Sequence, residues 1–266
     1  WLSVASKAGG LAVFTRFLLV GLPLTTVYKV DWYPVVLVLA IASMTLGNLV
    51  AITQRNIKRM LAYSSIAQVG YMLVGILAAA AASTLPGAKI PAVISGSSEN
   101  TVNYGLAGLL IYAASYLFMN LGAFAVVIAV ERKVGSSEIQ SFTGMMKRAP
   151  LLAVSLVVFL LSLAGIPPTA GFLGKFYIFA GAIQAKQTDL LVLAIIAVAN
   201  SVISVYYYFN VVRLMFMHDH ESTEEKLTIP TSTSLRVAII VMVILTIGIC
   251  LAAGPIIGLA RSAAAL

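Results

Sequence analysis

LSLAGIPPTAGFLGKFYIF (Leu161–Phe179) stands inside a long apolar run, yet it holds two adjacent prolines, three glycines and a lysine with no acid nearby. A helix breaker and a cation in a stretch otherwise fit for hydrocarbon call for a common explanation. The run that contains them, 150–184, has 35 residues. That is about 52 Å as a straight helix, too long for one ~30 Å crossing and too short for two crossings joined by a turn. One interrupted crossing is expected. Pro167 and Pro168 remove two backbone donors, and Gly165 and Gly171 permit an irregular path between the halves. Carbonyls freed at membrane depth are tolerated only when buried in protein or lining a wet cavity, and Lys175 lies one turn into the second half. Two readings are open: an ion site built on a discontinuous helix, as in many transporters, or a proline kink that only shapes packing, with Lys175 snorkelling to a distant interface.

The remainder of the chain places this stretch in a membrane. Of 266 residues 61% are hydrophobic and 10% charged, with mean hydropathy +1.01, well above the roughly 45–50% apolar content of soluble domains. Apolar runs at 2–22, 33–53, 60–82, 103–131, 150–184, 189–217 and 235–260 have the length of a crossing helix. The expected fold is an all-α membrane protein with seven transmembrane helices, one of them interrupted. A β-barrel would alternate over short segments, and these runs do not. The chain starts at Trp1 with no signal-peptide pattern ahead of its first run, and is expected to be a piece of a longer protein. Cys250, the single cysteine, sits in the last run and reads as packing.

A net charge of +8 would suggest nucleic acid in a soluble protein, but here the basic residues follow the loops. Assigning loops alternately to two sides collects Arg55, Lys58, Arg59, Arg132, Lys133, Lys147, Arg148, Arg213, Lys226 and Arg236 on one side. Lys29, Lys89, Lys186 and Arg261 fall on the other. The first side is expected to be cytoplasmic or its equivalent, the lipid bilayer to be the surrounding partner, and nucleic acid not to be one.

Lys7, Arg16 and Lys175 are not explained by loops. An ionisable residue at membrane depth costs several kcal/mol and is a functional candidate by default. Arg16 can snorkel from near the end of its helix. Lys7 is a flanking residue if Trp1 is a true terminus and a mid-helix cation if it is not. All nine acids, Asp31, Glu99, Glu131, Glu138, Asp189, Asp219, Glu221, Glu224 and Glu225, fall in loops or at helix ends. A buried amine without a counter-charge is a group whose charge state can change, which suits a proton carrier whose carboxylate partners come from elsewhere.

Polar residues also recur at helical spacing: Ser64, Gln68 and Tyr71; Tyr112, Tyr116 and Asn120; Asn200 and Ser204. These stripes either line a chain of waters or bond helix to helix. His218 and His220 lie among loop acids without metal-ligand spacing, so no metal site is expected. There is no phosphate-binding glycine loop and no cysteine cluster for iron–sulfur, and no cofactor is expected in this chain.

NLVAITQRNIKRMLAYSSIAQVGYMLVG (Asn48–Gly75), YLFMNLGAF (Tyr116–Phe124), LSLAGIPPTAGFLGKFYIFAGA (Leu161–Ala182) and SVISVYYYFNVV (Ser201–Val212) resemble subunit N of NADH:quinone oxidoreductase, respiratory complex I, and its mitochondrial and plastid counterparts. The likeness runs from residue 1 to about 217. It implies an antiporter-like subunit in which 1–22 is the last helix of a first inverted repeat, 33–217 a second five-helix repeat and 235–260 a closing helix. It implies proton-transferring lysines at Lys175, in GFLGKF, and at Lys7, in SVASK, with water held by the polar stripes. NADH or another donor, flavin, iron–sulfur clusters and quinone belong, on this resemblance, to partner subunits of the membrane-arm complex. The implied location is the bacterial plasma membrane, with a thylakoid or organellar membrane as the alternative. Competing functions are a subunit of a multisubunit sodium/proton antiporter and a structural subunit whose polar residues only hold helices together.

Overall fold

The computed structural model describes residues 2–22, 31–83, 104–217 and 232–264. Lys29, Lys89, Glu99, His218, Asp219, His220, Glu221, Glu224, Glu225 and Lys226 lie outside the described residues. The described elements are helical: α1 (Leu2–Arg16), running into a π-helical turn at Phe17–Gly21, α2 (Tyr33–Ile52), α3 (Ile57–Ser83), α4 (Tyr104–Val134), a short α5 (Met145–Arg148), α6 (Pro150–Ala164), α7 (Ala170–Gln184), α8 (Thr188–Met217), α9 (Thr233–Leu251) and α10 (Ala253–Ala264). Among the described residues five helices, α2, α3, α4, α8 and α9, are long and apolar enough to cross a membrane individually. The first and fifth apolar runs are built from shorter pieces.

The run 150–184 is interrupted between Ala164 and Ala170, and the chemistry of the break is local. Gly165 adopts φ +85°, a left-handed conformation that a side chain resists. Its amide donates to the Ser162 carbonyl at 3.1 Å while the Ile166 amide donates to Leu161 at 3.0 Å, the paired pattern that closes a helix C-terminus. A methyl group on Gly171 would run into the Ser162 carbonyl, so the second half-helix starts hard against the end of the first.

The expected single closing run 235–260 is instead two helices, α9 and α10, separated at Ala252. Pro255 explains the difference. A proline ring clashes with the carbonyl four residues earlier, here Leu251, where α9 ends.

Packing radiates from α3. It is the central helix, 83% of its apolar stretch buried, whereas α9 is peripheral at 11%. Without a hydrophobic force between helices in lipid, close approach depends on small residues. The α4–α7 contact uses them heavily: a methyl on Gly181 would stand 2.5 Å from the Gly105 amide nitrogen, and one on Gly174 2.8 Å from the Tyr112 Cα. This contact brings the second half of the broken helix against the Tyr112–Asn120 stripe.

One end of the bundle gathers the basic loops. Ile57 N donates to Ser137 O at 2.9 Å and Ile139 N to Arg55 O at 2.8 Å, while Asn56 caps α3 through Lys58 N at 2.9 Å and donates to Ser137 Oγ at 2.6 Å. Lys58 pairs with Glu131 at the same end, and Gly144 N reaches Leu214 O near the end of α8 at 3.2 Å. The segments holding Arg55–Arg59 and Arg132–Arg148 therefore share a side, as the alternation of loops implied.

Gly181→Ala is expected to destabilise the protein by about 1–3 kcal/mol, since the obstructing atoms are backbone and cannot swing away; thermal unfolding in detergent measures it. Cysteines replacing Arg59 and Gln140 are expected to react with an impermeant thiol reagent from one and the same face of sealed vesicles.

Candidate proton-transfer site

The end of α6 sets the site. A helix leaves its last four carbonyls without intrahelical donors, and in α6 these belong to Leu161, Ser162, Leu163 and Ala164. The glycine turn takes the first two. The donors that a continuing helix would offer Leu163 and Ala164 are the amides four residues on, at Pro167 and Pro168, which have none. Lys175 supplies them: its Nζ donates to Leu163 O at 3.1 Å and to Ala164 O at 3.2 Å. Gln68 Nε2 adds a second bond to Leu163 O, also at 3.1 Å.

Lys175 is 3% exposed. Its third hydrogen bond goes to Ser201 Oγ on α8 at 3.2 Å, and the Tyr71 ring lies 4.4 Å from Nζ, in cation–π range. Every one of these partners is neutral. The negative end of the α6 dipole, concentrated on its terminal carbonyls, supplies the opposing field.

Two polar branches leave this point, buried except at Ser201 and Thr45, which are partly exposed. The first runs through Ser201, which reaches the Tyr71 hydroxyl. Asn48 Nδ2 donates to Tyr71 OH at 3.2 Å and to Asn200 O at 3.1 Å, while Tyr207 OH donates to Asn48 Oδ1 at 3.0 Å. Asn200 Nδ2 in turn donates to Ile196 O at 3.0 Å and Thr45 Oγ1 at 3.4 Å. The second branch starts at Gln68, whose Oε1 accepts from Tyr112 OH and whose Nε2 approaches Tyr208 OH at 3.5 Å; Tyr208 also meets Ser64. Ser204 returns its hydroxyl to Ser201 O at 2.6 Å.

Lys7 occupies the far side of α3. Its Nζ donates to Ser65 Oγ, and Ser65 is paired with Tyr116, whose hydroxyl accepts from Asn120 Nδ2 at 3.0 Å. Asn120 Oδ1 has no protein donor among the described residues. Lys7 and Tyr116 are the polar members of the wall of a cavity of about 350 Å³, otherwise lined by Gly10, Ala113 and larger apolar side chains such as Leu11, Phe14 and Met72. A polar route from Lys7 therefore follows Ser65 and Tyr116 rather than that apolar space. Among the described residues Lys7 makes its side-chain hydrogen bond to Ser65 and none to the broken helix. Its contact is with α3, the helix whose next turn carries Gln68, the residue bonded to Leu163 O.

The structure thus brings together Ser64, Gln68, Tyr71, Lys175, Asn200 and Ser204 around the break, and Tyr116 and Asn120 on the Lys7 side. Sequence reasoning missed Asn48, the hub of the first branch, although an asparagine in the largely apolar α2 was a visible signal. It also missed Ser65 and Ser201, adjacent in sequence to the recognised Ser64 and Asn200, and Ser162, three residues before Gly165, all invisible without tertiary contacts. Ser162 Oγ accepts from Gly171 N at 3.1 Å, binding the two halves of the break.

Asn48→Leu is expected to cost about 1–3 kcal/mol, because it leaves the buried Tyr207 OH without its acceptor and takes one donor from the Tyr71 hydroxyl. Ser43→Ala, which removes only a bond from Ser43 Oγ to Leu39 O of its own helix, should stay within about 0.5 kcal/mol. Thermal denaturation of the two variants side by side separates them.

The pattern that describes the NADH:quinone oxidoreductase/Mrp antiporter transmembrane family matches residues 1–90 and 81–204. Among curated proteins, NADH-quinone oxidoreductase subunit N of Heliobacterium modesticaldum is 42% identical over 264 residues, 99% of this chain and 50% of the relative. The chain spans about half the length of the curated relatives it matches. Among solved structures, a chain of respiratory complex I from Thermus thermophilus with bound aureothin is similar at TM-score 0.64 and 28% identity, over 85% of this chain and 45% of that one. A chain of the archaeal membrane-bound sulfane sulfur reductase reaches TM-score 0.79 over 99% of this chain and 47% of its own, at 22% identity, a likeness of fold.

Proposed function

Because the chain belongs to the NADH:quinone oxidoreductase/Mrp antiporter transmembrane family, we propose that it works as a proton-translocating part of a membrane-arm subunit of an NADH:quinone oxidoreductase. On this reading it crosses the bacterial plasma membrane seven times, the α6–α7 pair making one interrupted crossing, and 33–217 forms the second inverted repeat. Other membrane-arm subunits lie alongside, and NADH, flavin, iron–sulfur clusters and quinone react in partner subunits.

The observation that carries the proposal is the Lys175 ammonium, buried at a helix break on neutral oxygens alone. An ammonium so placed holds its proton through hydrogen bonds and a helix dipole, with no counter-charge to pin it. A carboxylate brought near by a neighbouring subunit would then change its hold on that proton decisively, because charges interact strongly where the effective dielectric is low. The kink reading gives no reason for the three hydrogen bonds to converge on Nζ, since a packing side chain needs only the alkyl stem.

Lys7 is the loading group in this account and Lys175 the terminal one. Ser65, Tyr116, Ser64, Tyr208 and Gln68 form most of the intervening path, and the Asn120 acceptor left open among the described residues gives water a point of attachment. The residues proposed to act are Lys175 and Lys7, with Ser64, Gln68, Tyr71, Tyr116, Asn120, Asn200 and Ser204 holding the hydrated path and Gly165, Pro167, Pro168 and Gly171 shaping the break.

Lys175→Met in the assembled complex, which keeps the side-chain volume and removes the proton-binding nitrogen, is expected to lower the number of protons moved per electron while quinone reduction continues. Proton uptake and quinone reduction recorded together in sealed vesicles give the ratio. An unchanged ratio would return Lys175 to the packing reading.

A further inference from the structure

The surroundings of Lys175 Nζ make up a complete binding site for a monovalent cation. Two helix-terminal carbonyls, Leu163 and Ala164, and one hydroxyl, Ser201, stand 3.1–3.2 Å from the nitrogen, and the face of Tyr71 stands 4.4 Å from it. These are the group types that hold small monovalent cations elsewhere: carbonyl oxygens, the C-terminal ends of half-helices and aromatic faces. A divalent ion is poorly served, because magnesium and calcium sites draw on carboxylates, and none touches the nitrogen here. The cradle also exists apart from the lysine. Gly165, Pro167 and Pro168 fix the two carbonyls, the hydroxyl sits on α8 and the ring on α3, and only the cation arrives on α7.

We propose that Leu163 O, Ala164 O, Ser201 Oγ and the Tyr71 ring form a primary-ammonium site whose resident is the tethered head of Lys175, and that a free primary alkylammonium occupies it when the tether is cut. The site selects for N–H donors in addition to charge. With three acceptors arranged around one nitrogen, a primary ammonium satisfies all of them, whereas a quaternary ammonium has no hydrogen to give. The inference concerns binding and stands whether or not the chain pumps, so its test uses a readout separate from proton transport.

Lys175→Ala in the assembled complex removes three methylenes and the nitrogen, the atoms of n-propylamine. Lys175→Leu keeps most of the alkyl stem and leaves room at the head for methylammonium. Propylammonium chloride is expected to raise the unfolding temperature of the alanine variant by roughly 2 °C or more, and methylammonium to be the better ligand for the leucine variant. Tetramethylammonium should do nothing for either. The wild type should be indifferent to all three, and Ser201→Ala added to Lys175→Ala should weaken the response. If one variant does not assemble, the size preference in the other decides. Equal shifts in wild type and variants, or tetramethylammonium acting as well as the primary amine, would overturn the site.

Discussion

Helix α6 ends at Ala164, deep in the bundle, and a helix that stops there must find donors for its last carbonyls without help from bulk water. Two come from the glycine turn that closes the helix. The other two have been removed by Pro167 and Pro168, and the Lys175 ammonium takes their place. The prolines and the lysine are thus one device: the first creates a pair of naked carbonyls, and the second covers them with a group that also carries a proton. Gly171 lets α7 start close enough to α6 for the lysine to reach back 11 and 12 residues.

The rest of the interior keeps that device intact. Small residues bring α4 against α7, and Gln68 and Ser201 reach the same centre from α3 and α8. Asn48, Tyr207 and Asn200 tie α2 to α8 behind them. This network is almost entirely neutral. Neutral groups satisfy hydrogen bonds without fixing the charge of the lysine, which is the condition for a group that must gain and lose a proton. The carboxylates that would drive such a change are not at hand in the described interior, in keeping with a chain that spans about half of its curated relatives.

Legibility in the sequence followed the physics. The break was readable because two prolines and an excess of length have no other solution in a bilayer, and Lys175 because a cation in a run without acids is costly. The shared side of the basic loops came from charge bias alone. Other features depend on tertiary contacts that no local pattern announces. Ser65 as the partner of Lys7 and Ser201 in the cradle are of this kind. The break at Ala252 had a local signal, Pro255 placed four residues after Leu251, but the continuous hydropathy of the closing run concealed it.

The Lys175 ammonium replaces the two donors lost at Pro167 and Pro168. The most direct measurement is a cryo-EM map of the assembled complex at a resolution that shows waters and side-chain nitrogens. In such a map α6 is expected to stop at Ala164, Nζ to lie within about 3.2 Å of the Leu163 and Ala164 oxygens, and water to join the Tyr116–Asn120 region to Gln68. A helix running unbroken through 165–169, or a Lys175 turned outward with those carbonyls bonded by other groups, would contradict the claim.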